Sequence, residues 1–200
     1  KKGNEINSGA ITTFSERTVV SENRLVKINK ETPSDIAALL GCAVPTGIGM
    51  VFNLLDKGEN SIAIFGIGGI GSSSVLGAKA RNYNPIIAVD VHDHKLKHAR
   101  ELGATHLINA KQEDVLGKIM EITKEGVDFS IEAIGNPRTM ELAFKSLKKG
   151  GKAVIAGNAR KGEMMSIDPG ELNMGKKLLG TWGGETNPDR DIPVYEAMYN

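Results

Sequence analysis

From Ser61 onward, apolar residues in this chain follow two periods that take turns. Short aliphatic runs at Ile62 to Phe65, Ile86 to Val89, His106 to Asn109, Val127 to Ala133, Lys152 to Ala156 and Leu178 to Trp182 predict six strands. Between them the apolar positions recur at helical spacing. One such segment begins near Ile70, and Asp93 to Leu102 stops at Gly103. Glu113 to Lys124 carries Val115, Ile119 and Ile122 on one side, and Pro137 to Leu147 is closed by Lys148, Lys149 and Gly150. Strands that alternate with helices imply right-handed crossovers. The expected fold is therefore α/β, a doubly wound parallel six-stranded sheet with helices on both faces and a ligand crevice at the strands' carboxyl ends. Gly157 to Lys177, with Pro169 and several glycines, predicts a loop beside that crevice.

The residues before Ser61 follow another pattern. Arg17 to Ser21 and Arg24 to Ile28 predict a short β segment at the N-terminus. Thr32-Pro33-Ser34-Asp35 predicts a helix start, with Thr32 as N-cap and Pro33 at the first helical position, and the helix runs through Leu40. A second helix is expected from Pro45, with Met50, Val51, Leu54 and Leu55 at helical spacing, which leaves Cys42 in the turn between the two. The chain opens on Lys1 and closes inside a helical pattern, Ile192 to Asn200, so a piece of a longer polypeptide is expected. The expected division is residues 1–32 as the remnant of another domain and 33–200 as one α/β domain cut short at its C-terminus.

The first strand meets Gly66, Gly68 and Gly71 in G-x-G-x-x-G spacing, with Gly69 and Ile70 between, and the second strand ends on Asp90. Each glycine has its own reason. Gly66 permits the tight turn off the strand, Gly68 lets a pyrophosphate approach the backbone, and Gly71 lets the helix pack close to the sheet. Phosphate charge would rest on the free N–H groups and positive end of the following helix. Asp90 stands where a carboxylate accepts hydrogen bonds from an adenosine ribose and repels a 2′-phosphate, so the order of elements predicts a Rossmann domain that takes NAD rather than NADP. The nucleotide-binding pattern G-x-x-x-x-G-K-[ST] is absent. Phe65 stands where methyltransferases of similar fold usually carry an acid before their glycines.

Composition narrows the partners. With 25 basic and 24 acidic residues the net charge is +1, which gives no electrostatic pull toward nucleic acid or an anionic membrane. One cysteine excludes an internal disulfide framework and suits a reducing, cytoplasmic setting. No run of about 18 apolar residues suggests a membrane span.

With these residues in view, the sequence resembles the zinc-dependent medium-chain alcohol dehydrogenases. The match runs through F-S-E-R-T-V-V-S-E-N at Phe14 to Asn23, G-C-x-x-x-T-G at Gly41 to Gly47, the glycine turn, Val89-Asp90, A-R-E-L-G-A-T at Ala99 to Thr105, V-D-F-S-I-E-A-I-G from Val127 to Gly135, and Gly183-Gly184. The resemblance implies a coenzyme-binding domain with a short flank of a GroES-like catalytic domain. It implies that Cys42 is one of three protein ligands of a catalytic zinc and that Thr46 packs beside the nicotinamide. By the same resemblance Lys95 reaches the adenosine ribose, Ile134 and Gly135 face the crevice, and Ala156, Gly157, Gly180 and Trp182 hold the carboxamide and line the substrate mouth. Hydride transfer between a small alcohol or aldehyde and NAD is the implied activity, with a homodimer formed through the sixth strand. The fragment alone is expected to be inactive, since one cysteine cannot hold zinc.

Two other readings stay open at this point. A zinc-free, NADP-linked quinone or enoyl reductase of the same superfamily would lack the cysteine and the acid at Asp90. A non-catalytic module that senses NAD or mediates assembly would lack a zinc-ligand set upstream. His94 and His98 are spaced as metal ligands on a helix, yet they stand among Asp93, Lys95, Lys97 and Arg100, which predicts a solvated face. Ser72 to Ser74 begin the fingerprint helix and have no base placed beside them. No Tyr-x-x-x-Lys pair is present at Tyr83, Tyr195 or Tyr199.

Overall fold

A computed structural model of the chain describes residues 16–198. Phe14, at the head of one quoted match, and Tyr199 and Asn200, at the end of the expected last helix, lie outside the described residues. In chain order the elements are α1 (Ser34–Leu39), α2 (Ala43–Gly49), β1 (Ile62–Phe65), α3 (Gly69–Ala80), β2 (Ile86–Asp90), α4 (Asp93–Leu102) and β3 (His106–Asn109). They continue as α5 (Val115–Thr123), β4 (Val127–Glu132), α6 (Pro137–Lys145), β5 (Leu147–Ile155), α7 (Pro169–Asn173), β6 (Lys177–Gly180) and α8 (Pro188–Ala197).

The sheet runs β3-β2-β1-β4-β5-β6 with every neighbouring pair parallel. That order reverses between β1 and β4, and a reversal of this kind opens a crevice beyond the strand ends where ligands bind. Both faces are covered, so β1 is apolar on both sides, whereas its neighbour β4 alternates, with Asp128, Ser130 and Glu132 as its polar positions. Ile62 and Ile64 of β1 pack with Val51, Val75, Leu96 and Ile131 on one face. Ala63 and Phe65 pack with Val89, Val115, Ile119 and Phe144 on the other. Phe65 is fully buried, a burial that stabilises by about 2–3 kcal/mol.

Several boundaries differ from the sequence pattern, each through a contact the pattern does not carry. Arg17 to Ser21 and Arg24 to Ile28 form no strand; the segment holds one 3-10 turn, Glu22–Arg24. A strand needs a ladder partner, and no strand among the described residues pairs with this segment. Pro33, not Thr32, caps α1, while the Thr32 hydroxyl donates to Glu196 of α8. The Asn29 N–H donates to the same carboxylate at 2.8 Å, so the arm is tied to the C-terminal helix. Helix α2 starts at Ala43 with Cys42 as its N-cap, then runs into a π-helical stretch, Met50–Leu54. Strand β5 starts at Leu147 rather than Lys152, because Leu147 pairs with Val127 before a register shift brings Lys152 opposite Phe129. The expected loop between β5 and β6 holds α7, where Asp168 accepts from the Gly170 N–H at 2.8 Å as the cap. Strand β6 ends at Gly180, so Thr181 and Trp182 lie past it.

Candidate functional site

The turn between β1 and α3 shows why three glycines are needed. Gly66 has φ +89, a backbone conformation that L side chains rarely adopt, and its N–H donates to the Val89 carbonyl at 2.8 Å. A Cβ on Gly71 would strike the Gly66 carbonyl oxygen, so only glycine lets α3 approach the strand end. A Cβ on Gly68 would meet nothing within 4 Å. Gly68 is the N-cap of α3, and the open space beside it adjoins the free amides and positive end of a twelve-residue helix. Gly69 and Ile70 open that helix. Ser73 donates its hydroxyl to the Gly69 carbonyl at 2.8 Å, and Ser74 shares its own between the Ile70 carbonyl at 3.0 Å and the Gly47 carbonyl, so both serve as helix residues.

Asp90 closes β2 with its carboxylate buried. Oδ2 accepts from the Ile67 N–H of the glycine turn at 2.8 Å, and Oδ1 accepts from the N–H groups of Val91 and His92 at 2.7 and 3.0 Å. Lys95 stands 3.9 Å from Oδ2 and is partly exposed. The acid therefore does two things: it locks the turn to β2, and it presents its remaining acceptor capacity beside a cation. Gly66, Gly68, Asp90, Lys95 and Ile134 line one cleft of about 500 Å³, across which exposed Val91 and Ile134 supply apolar surface.

Past β4 and β5, Gly135 has φ +87, and a Cβ there would press on the Asn158 backbone. Gly157 packs so closely on Gly135 that a Cβ would strike its backbone nitrogen. Ala156 is half-buried beside them and donates its N–H to the Glu132 carbonyl at 2.9 Å. Sequence reasoning missed Glu132, which is 0% exposed. Its Oε1 accepts from the N–H groups of Ile134 and Gly135, at 3.1 and 2.9 Å, and from the Thr139 hydroxyl at 2.7 Å. The only signal in the sequence was an acid at the last position of a central strand, Val127–Glu132, in which Asp128 and Ser130 are polar as well. Asn136 and Thr139, also missed, line the cleft.

Cys42, Thr46 and Trp182 come together elsewhere. They line a second cleft of about 500 Å³ with Arg24, Pro45, Thr186 and Ile192. Cys42 is exposed, and Trp182 is 88% exposed. The Thr46 hydroxyl donates to the Cys42 carbonyl at 2.8 Å, which makes it a helix back-bond in this arrangement. The turn past β6 is clamped onto α2: the Thr186 hydroxyl donates to the Pro45 carbonyl at 2.8 Å, and a Cβ on Gly184 would lie 2.8 Å from the Met50 nitrogen. Gly47 in turn allows α2 to seat on the first turns of α3, where Ser74 donates to its carbonyl at 3.2 Å. Among the described residues no group of three or more His, Cys, Asp or Glu side chains could hold a metal ion. His94 lies against His92 with ring centroids 5.6 Å apart, and exposed His98 faces Glu101 at 3.7 Å.

Comparison with known proteins agrees with this geometry. A family model described as zinc-binding dehydrogenase matches residues 69–197. The S-(hydroxymethyl)glutathione dehydrogenase of Synechocystis is 42% identical over 185 residues, covering 90% of this chain and 50% of that protein. Alcohol dehydrogenase 2 of Zea mays is 36% identical over 191 residues, covering 94% and 50%. Among solved structures, benzyl alcohol dehydrogenase from Acinetobacter calcoaceticus superposes with a TM-score of 0.92 at 34% identity, covering 95% of this chain and 53% of that one. The chain spans about half the length of the curated relatives it matches. Because the family match takes in the whole alternation from the fingerprint helix to α8, the chain belongs to the zinc-binding dehydrogenase family.

Proposed function

We propose that this chain is the coenzyme-binding part of an NAD-linked, zinc-dependent alcohol dehydrogenase. The observation that carries the reading is the cradle at Gly68, empty where a Cβ would sit, in the same cleft as the buried Asp90 carboxylate. A dinucleotide fits it: pyrophosphate at the start of α3, adenosine ribose at Asp90 and Lys95, the adenine between Val91 and Ile134. A 2′-phosphate beside a buried carboxylate is disfavoured, which supports NAD over NADP. Gly135, Ala156, Gly157, Thr46 and Trp182 are proposed for the nicotinamide half, since they lie toward the second cleft or the exits of β4 and β5.

Zinc does not fit these residues alone. Cys42 offers one exposed thiol, and a catalytic site needs three protein ligands. In the proposed whole enzyme, Cys42 is one of the three and the others come from the rest of the polypeptide. Residues 1–32 are then the flank of the catalytic domain and 33–200 the coenzyme domain. NAD held at Gly68 and Asp90 would supply a hydride acceptor, and zinc held by Cys42 together with ligands from the rest of the polypeptide would supply a Lewis acid. Relatives named for alcohols and for S-(hydroxymethyl)glutathione support an alcohol or aldehyde substrate. Strand β6 is an edge of the sheet, and an edge strand is open to pairing, which supports a homodimer through it. A cytoplasmic setting is proposed from the single unpaired cysteine; no helix among the described residues is long and apolar enough to cross a membrane.

The test is titration with NADH and NADPH, followed by the fluorescence of Trp182, the only tryptophan in the chain. Saturable quenching with energy transfer to NADH, and NADPH binding at least about tenfold weaker, is expected; tenfold is the worth of about 1.4 kcal/mol at one ribose contact. Preference for NADPH would overturn the assignment of Asp90. Binding of neither coenzyme, with the fold intact by circular dichroism, would overturn the coenzyme reading.

A further inference from the structure

The least expected residue near the cleft is Glu132. It occupies a central strand position opposite Phe65 of β1, at the point where strand order reverses. An apolar side chain would serve the packing there as well, and a buried carboxylate is costly unless its acceptors are used. Here Oε1 is fully used, by two backbone N–H groups and the Thr139 hydroxyl. Oε2 is buried with no hydrogen-bond partner among the described residues. It lies against Gly157, where a Cβ would come within 2.5 Å of it. A chain that keeps an acid in this place at such a cost keeps it for a purpose beyond packing.

The connections show the purpose. Through its side chain Glu132 fixes Ile134, Gly135 and the start of α6, and through its main-chain carbonyl it holds the N–H groups of Ala156 and Gly157 at 2.9 and 3.1 Å. Ile134 in turn touches the glycine turn, since a Cβ on Gly66 would strike its Cγ1. One residue thus sets the β4 side of the cleft against the β1 side, and joins both to the exit of β5.

We propose that Glu132 is a positioning residue for the coenzyme: its buried carboxylate fixes the β4 exit so that Ile134 and Thr139 stand at the right distance across the cleft from Gly68, Asp90 and Val91. The inference rests on the coenzyme reading above. It assigns Glu132 no contact with the coenzyme and no proton transfer. Its working atom is Oε1, as acceptor for three donors that would otherwise release the loop.

The experiment measures NADH and 5′-AMP affinity by calorimetry in the full polypeptide, well below the unfolding temperature, with folding followed separately by circular dichroism. Glu132→Leu keeps the volume and removes the acceptor. It is expected to bind both ligands about tenfold more weakly while remaining folded, the equivalent of one lost donor–acceptor pair. Glu132→Gln keeps an acceptor at Oε1 and is expected to stay within about threefold of the parent. Thr139→Val removes one donor to Oε1, together with the bond the same hydroxyl shares with the Asn136 carbonyl, and carries the decision if Glu132→Leu fails to fold; a loss of about threefold is expected. A role confined to stability would lower the unfolding temperature and leave the affinities of the folded protein unchanged. That result with Glu132→Leu or Thr139→Val, or equal loss in Gln and Leu, would overturn the proposal while leaving the coenzyme reading intact. Failure of the unsubstituted protein to bind either ligand would instead overturn the coenzyme reading, and the positioning role with it.

Discussion

The two clefts of this molecule are similar in size and differ in how they are made. The cleft at Gly66, Gly68 and Asp90 is built from strand ends of one sheet and closed by backbone hydrogen bonds, so its parts come fully supported. The cleft at Cys42, Thr46 and Trp182 gathers residues from the arm, α2 and the turn after β6, and offers one thiol with no companion ligand among the described residues. A dinucleotide is recognised mainly by backbone and one carboxylate, which a single α/β unit can supply. A metal-held substrate needs side chains converging from several directions, and the described residues offer one thiol toward that.

The strongest way to break this contrast is to remove the room that the first cleft depends on. Gly71→Val sets a branched side chain against the Gly66 carbonyl, and destabilisation of about 3 kcal/mol or more is expected, read from the urea midpoint. A Gly71→Val protein of unchanged stability would show that α3 need not sit close. Next in size, Asp90→Ala removes the acceptor for three backbone N–H groups and, with it, the proposed ribose contact. NADH affinity is then expected to fall by about 2–3 kcal/mol, and the preference over NADPH to narrow. Calorimetry with both coenzymes checks it.

The opposite result is expected in the second cleft. Cys42→Ala touches an exposed N-cap and should change stability and NADH affinity by no more than about 0.5 kcal/mol; on the proposed ligand role of Cys42, the zinc content of the whole enzyme is expected to fall. A large loss of NADH affinity would mean the clefts are coupled through α2 and its seat on α3. A further effect, confined to stability, lies far from both clefts. Burial pushes the Asp128 carboxyl up, but hydrogen bonds from Lys148 and from the N–H and hydroxyl of Ser61 outweigh it and hold the group below its usual 3.8. A lowered folded pKa gives stability that is complete above the unfolded value and is lost as pH falls through the folded one. Asp128→Asn is therefore expected to cost about 1 kcal/mol at pH 7 and nothing once pH falls well below 3.8, as read from unfolding midpoints across that range.

Legibility in the sequence followed the range of the interactions. The Gly66-Gly68-Gly71 turn and the run to Asp90 could be read because each residue's reason lies within one strand-turn-helix-strand unit. Glu132 could not be given its place, because its meaning depends on Gly157 and Thr139 meeting it in space. Thr32 looked like a cap because the local pattern Thr-Pro-Ser-Asp favours one, yet its hydroxyl is spent on Glu196, 164 residues away. The early start of β5 has the same cause: Leu147 joins the sheet only because Val127 is beside it.

By itself the sequence determined the alternation of strands and helices, the parallel sheet that alternation requires, and the glycine turn with its acid, since periodicity and backbone freedom are properties of neighbours along the chain. The tertiary structure alone decided which apolar and polar groups share a cleft. It placed Ile134 and Val91 across from Gly68, set Cys42 beside Trp182, and buried Glu132 at the junction of three loops. Those placements depend on hydrogen bonds and close contacts between residues far apart in sequence, which form only when the sheet order has brought their strands together.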